Sequence, residues 1–88
     1  MLFQQNKDIY SSEIDSEVCL FNPKTAEYLS LNETASFLWE LLEKKVNLEY
    51  LFKKVKESYE IKSDSYQKTI SSFIEMALKK SLIKKFDE

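Results

Sequence analysis

The stretch Glu17-Val18-Cys19-Leu20-Phe21-Asn22-Pro23-Lys24-Thr25-Ala26-Glu27-Tyr28-Leu29-Ser30-Leu31-Asn32 decides the fold, because the hydrophobic period changes at its end. Glu17 to Phe21 is an apolar run that includes a β-branched valine. Ala26 to Leu31 alternates, with Leu29 and Leu31 on one face and Tyr28 and Ser30 on the other, the two-residue period of a half-buried strand. Between them, Asn22-Pro23-Lys24-Thr25 has type I turn chemistry: Asn opens the turn, and Pro follows where its fixed φ fits. The segment predicts a β-hairpin. Upstream, Ile9 to Ile14 reads as a further strand whose pattern is interrupted by serines.

From Asn32 onward the period is helical. Asn32 is suited to an N-cap, since its side-chain oxygen can accept a free backbone N–H of the first turn. Ala35, Leu38, Trp39 and Leu42 then recur as one apolar stripe. A second helix starts at Asn47 with the stripe Leu48, Leu51, Phe52, Val55 and Tyr59, and Val46 stands where it can staple onto Leu51. The third has Asp64 as N-cap and Gln67 three residues on, an approximate capping box. Its stripe is Tyr66, Ile70, Phe73, Ile74, Ala77 and Leu78. Helices of about 12, 13 and 17 residues leave the short connections of a compact domain. The expected fold is α+β: a small winged-helix-like domain, with an N-terminal three-stranded antiparallel sheet followed by three helices.

The 88 residues make one domain with one core. The chain has no His, no Gly and no Arg, and Cys19 is its one cysteine. Without His there is no imidazole for acid–base work or metal binding, and one thiol is too few for a closed zinc site. Without Gly there is no phosphate-cradling loop of the P-loop or dinucleotide kind. Cys19 stands in an apolar strand run, where cysteine behaves as a small buried hydrophobe. These residues predict a protein with no catalytic activity, cofactor or metal. One thiol and an N-terminus unlike a signal peptide point to a cytoplasmic location, and no run is long enough for a membrane span.

Charge is unevenly placed. Residues 1–43 carry two lysines against eight carboxylates, and residues 44–88 carry eleven lysines against seven, for an overall charge of −2. The three-helix half resembles a helix-turn-helix, and Lys53, Lys54, Lys56, Lys62 and Lys68 are available to phosphates. The absence of Arg, the commonest bidentate reader of guanine, and the acidic first half oppose a DNA-binding role.

The string from Glu17 to Ala35, followed by Phe37-Leu38-Trp39-Glu40-Leu41-Leu42, resembles the PqqD-like family. These are small proteins first known from pyrroloquinoline quinone synthesis, also called RiPP recognition elements or peptide chaperones. The shared pattern is a hydrophobic strand, an N-P or D-P turn, an aromatic strand ending Leu31-Asn32, and a Thr34-Ala35 helix start with Trp39 beyond it. The likeness extends over roughly residues 8–84. Family members commonly carry Gly after the first helix and near the end of the third, where this chain has Glu43-Lys44-Lys45 and Lys80-Ser81-Leu82.

The resemblance implies a single peptide-binding domain over residues 1–88. It implies that a precursor's leader peptide adds as an extra strand beside the third strand and lies against the third helix. Carried onto this sequence, the edge is Ala26, Glu27, Tyr28, Leu29, Ser30 and Leu31. The groove wall is drawn from Tyr66, Thr69, Ile70, Phe73 and Ala77, with Tyr28 and Thr69 the most accessible. The implied partners are the leader peptide and a separate modifying enzyme, often a radical SAM enzyme, rather than nucleic acid or membrane. Two other readings use the same residues: a winged helix-turn-helix DNA binder, and a structural homodimer in which the exposed edge pairs with itself.

Overall fold

A computed structural model of the chain describes residues 1–60 and 63–87, so Lys62 lies outside the described residues. The elements run β1 (Leu2–Gln5), β2 (Tyr10–Ile14), β3 (Glu17–Asn22), β4 (Glu27–Ser30), α1 (Glu33–Leu41), α2 (Leu48–Tyr59), α3 (Ser65–Lys79) and β5 (Ile83–Phe86). β2, β3 and β4 form the expected three-stranded antiparallel sheet with β3 in the centre, and β1 pairs antiparallel with β5 in a second sheet. The first sheet and the three helices answer to the α+β expectation. The β1·β5 ribbon adds to it, with the residues after the third helix forming a strand beside the N-terminal one.

Alternation along β3 drives the packing. Val18 and Leu20 point inward and are buried, joining Leu38, Trp39, Leu42, Leu51, Val55, Ile70, Ile74 and Ala77 in one core. Cys19 therefore falls on the outer face, only partly buried. This corrects its reading as a core residue: a strand flips every second side chain to the other face. α1 packs on the inner face of this sheet, the stripes of α2 and α3 join it in the shared core, and ring edges add contacts where Phe37 meets Tyr59 and Phe52 meets Tyr66.

Both asparagine caps form, with the side chains of Asn32 and Asn47 accepting from the N–H groups of Ala35 and Tyr50 at 2.8 Å. The Asp64 cap does not. Asp64 has ψ near 2° instead of an extended backbone and makes no side-chain cap bond, while Gln67 reaches the Tyr66 hydroxyl.

The helices, at 9, 12 and 15 residues, are each shorter than the sequence pattern leads one to expect. α1 ends without a left-handed residue because the N-terminal arm covers its carbonyls. Gln5 donates its side-chain amide to Trp39 O and its N–H to Leu42 O, and Gln4 donates to Glu43 O. Groups that glycine commonly helps to satisfy at a helix end are met here by two glutamines.

α3 ends differently. Leu82 N–H bonds to Ala77 O, and Ser81 N–H bonds to Leu78 O, with Ser81 at φ 59°. This is a Schellman motif with serine in the position glycine prefers. The β3–β4 turn also departs from a plain type I turn. Lys24 N–H bonds to the Asn22 side chain, and Ala26 closes a wider turn onto Asn22 O with φ 59°. A left-handed conformation costs a residue with a Cβ roughly 1–2 kcal/mol, against which glycine's extra freedom in the unfolded chain must be set. The double variant Ala26→Gly/Ser81→Gly is therefore expected to gain about 1 kcal/mol, raising the melting temperature by roughly 4–8 °C in a thermal scan.

Candidate functional site

β4 is the outermost strand of its sheet, and among the described residues no strand pairs along its far side. The register determines which groups it offers. Leu31 N–H bonds to Val18 O, so Leu29 with Leu20 and Glu27 with Asn22 are the hydrogen-bonded pairs. Tyr28 and Ser30, opposite Phe21 and Cys19, direct their N–H and C=O groups to the open side. The N-terminal arm is engaged elsewhere, paired with β5 and bridged to Val46, and does not seal this edge.

Ser36 holds β4 in place from below. Its hydroxyl accepts from Val18 N–H at 2.8 Å and donates to Leu31 O at 3.2 Å, with the residue only 3% exposed. The α1 hydroxyl thus stands in the ladder where Val18 and Leu31 would exchange their second bond. No motif in the sequence flags this serine, because a serine in a helix stripe is commonly just a solvated position.

Across the outer face, Tyr10, Phe21 and Tyr28 are register partners, with ring centroids 6.4 Å and 4.6 Å apart. Tyr28 is 74% exposed and ends this row at the open edge. On the inner side, Leu29 is half-buried against the core. A crevice joins Glu27, Tyr28 and Leu29 to Lys80 and Leu82, and a larger cleft of about 930 Å³ extends past Asn22 and Lys24 to Met76, Lys79, Lys80 and Lys84.

At 100° per residue, Thr69, Phe73, Met76 and Lys80 share one stripe of α3. Thr69 is exposed, and Phe73 and Met76 are half-buried. Ile70 and Ala77, 1% and 0% exposed, point to the core and back the helix from behind. Tyr66 lies two turns before Phe73 with its ring edge against Phe52. Ala26 belongs to the turn rather than to β4, and Leu31 is buried just beyond it. The sequence reading missed Met76, Lys79 and Lys80, whose place beside the strand depends on where α3 docks.

Residues 17–83 match the family described as Coenzyme PQQ synthesis protein D (PqqD). The chain belongs to the PqqD family. The match spans the hairpin, all three helices and the first residue of β5. Two solved structures share the fold of this PqqD-family domain. One is TbiB1 in complex with the TbiA(beta) leader peptide, 22% identical, covering 97% of this chain and 99% of that one, with a TM-score of 0.84. The other is a lasso peptide synthetase B1 complexed with the leader peptide, 17% identical, covering 94% and 98%, with a TM-score of 0.80. No curated protein matches the PqqD-family chain in sequence.

No helix among the described residues is long and apolar enough to cross a membrane. Among those residues no group of His, Cys, Asp and Glu has the arrangement of a metal site.

Proposed function

We propose that this chain is a non-catalytic cytoplasmic adaptor. It binds the leader of a ribosomally made precursor peptide by strand addition and presents that peptide to a modifying enzyme on another chain. The observation that carries this reading is the open side of β4, where the backbone groups of Tyr28 and Ser30 are unmatched by any described strand, with Met76 and Lys80 of the α3 end across the adjoining cleft. A guest strand gains main-chain hydrogen bonds from the edge, and pockets for its alternate side chains give selectivity. Two proteins of the same fold, each in complex with a leader peptide, support the reading. Residues 1–88 act as one binding domain, with Ile70 and Ala77 bracing the groove and Leu29, Phe73 and Met76 lining it.

The enzyme that receives the peptide is a separate protein, of the radical SAM or the lasso peptide synthetase kind. Calorimetric titration with the leader of a precursor peptide encoded beside the gene tests the proposal. Saturable binding at a stoichiometry of one, with nanomolar to micromolar affinity, is expected. No heat and no shift in melting temperature at a hundredfold excess of leader would count against it. Sedimentation without the leader separates the homodimer reading. A monomer is expected across concentration, whereas a stable dimer that the leader cannot dissociate would mean that the edge serves self-pairing.

A further inference from the structure

We propose that the groove selects a guest carrying acidic residues on one flank of its paired segment, held by a lysine-lined cleft at the turn end of β4. This rests on the leader-binding reading above and adds to it the charge and polarity of the guest.

Lys24 from the β3–β4 turn, Lys79 and Lys80 from the last turn of α3 and its cap, and Lys84 from β5 line the cleft of about 930 Å³. Asp8 and Glu27 are its acids, which leaves an excess of two positive charges. Among the described residues none of the four lysines makes an ion pair, although the two carboxylates line the same cleft. A concave surface lined by unpaired charge of one sign raises the local concentration of the opposite sign. The volume is within the range of sites that enclose a ligand segment.

The cleft is continuous with the strand edge. Asn22, Glu27 and Lys80 border both the large cleft and the crevice that reaches Tyr28 and Leu29. A peptide paired along β4 would therefore run into the lysines at the Glu27 end and away from them at the Ser30 end. Antiparallel pairing is the more stable arrangement per residue. An antiparallel guest passes Ser30 first and Glu27 last, so its acidic residues lie C-terminal to the paired segment.

The acidic bias of the chain's own first half does not oppose this placement. Glu13, Asp15, Glu17 and Glu33 lie in or near the β2–β3 turn and at the start of α1, outside the residues lining the cleft.

The test pairs protein variants with guest variants in calorimetric titrations at 50 and 500 mM salt. The probes are the synthetic leader of the adjacent precursor and a copy with its Asp and Glu replaced by Asn and Gln. Lys79→Glu/Lys80→Glu, two exposed positions, is expected to bind the native leader about tenfold more weakly at the lower salt, a gap that narrows at the higher salt. The neutralised guest is expected to bind wild type and variant within about twofold of each other.

Equal binding of the native leader by both proteins, or an equal loss with the neutralised guest, would overturn the inference and leave leader binding standing. A native leader without acidic residues C-terminal to its paired segment would do the same. Failure of the wild type to bind any leader would remove the underlying reading as well. The guest-neutralisation arm on wild type alone, expected to weaken binding several-fold at low salt, decides the matter should the charge-reversed protein fail to fold.

Discussion

Ser30→Pro is expected to weaken leader binding at least tenfold while the domain stays folded. The register turns the Ser30 N–H to the open side of β4, and its side chain lies on the solvent face with Tyr28. Proline removes that donor and sets its ring where the acceptor of a guest strand must sit. A lost backbone hydrogen bond is worth about 0.5–1.5 kcal/mol net, and the steric block adds to it, so a tenfold loss is a lower bound. Within the domain little is disturbed, because the N–H removed has no partner on β3. The residue before proline is pushed to extended backbone, which Leu29 already has in β4. Circular dichroism and thermal unfolding serve as fold controls. Unchanged affinity in a folded variant would place the guest elsewhere.

Ser36→Ala is expected to cost about 2 kcal/mol of stability by leaving Val18 N–H and Leu31 C=O without the hydroxyl that bridges them. The site is buried, so water cannot replace the hydroxyl cheaply. Partial closure of the ladder, bringing Val18 directly onto Leu31, limits the loss to that order. For a domain with about 5–10 kcal/mol in all, this is a large share. Urea titration should show a lower midpoint with an unchanged slope. The Leu31 amide should exchange faster, since its rung anchors the end of β4. A midpoint within experimental scatter of wild type would mean that the strands close fully without the serine.

Much of this fold was readable from local pattern. The alternation of Tyr28, Leu29, Ser30 and Leu31 and the asparagines at 32 and 47 act within a few residues of themselves, so local chemistry determines them. β1 and β5 were not readable. Each is four residues long, with two glutamines in one and two lysines in the other, and they pair only because the chain ends meet. The absence of glycine was a true signal at one helix end and a misleading one at the other. Ser81 adopts the left-handed conformation that glycine favours, whereas the end of α1 is capped from afar by Gln4 and Gln5.

The candidate site divides along the same line. The outer place of β4 in its sheet follows from the local pattern of the hairpin. The opposite wall depends on the rotation of α3 about its axis: Ile70 and Ala77 turn inward, and Met76, Lys79 and Lys80 take the places beside the strand.

Amide exchange followed by NMR, with and without the leader peptide, tests the docking of a guest backbone on β4 most directly. Binding is expected to slow exchange at Tyr28 and Ser30 and to leave Glu27 and Leu29, already bonded to β3, nearly unchanged. Saturating binding that protects Ser11 and Glu13 on the outer side of β2, or that leaves Tyr28 and Ser30 exchanging as before, would contradict it.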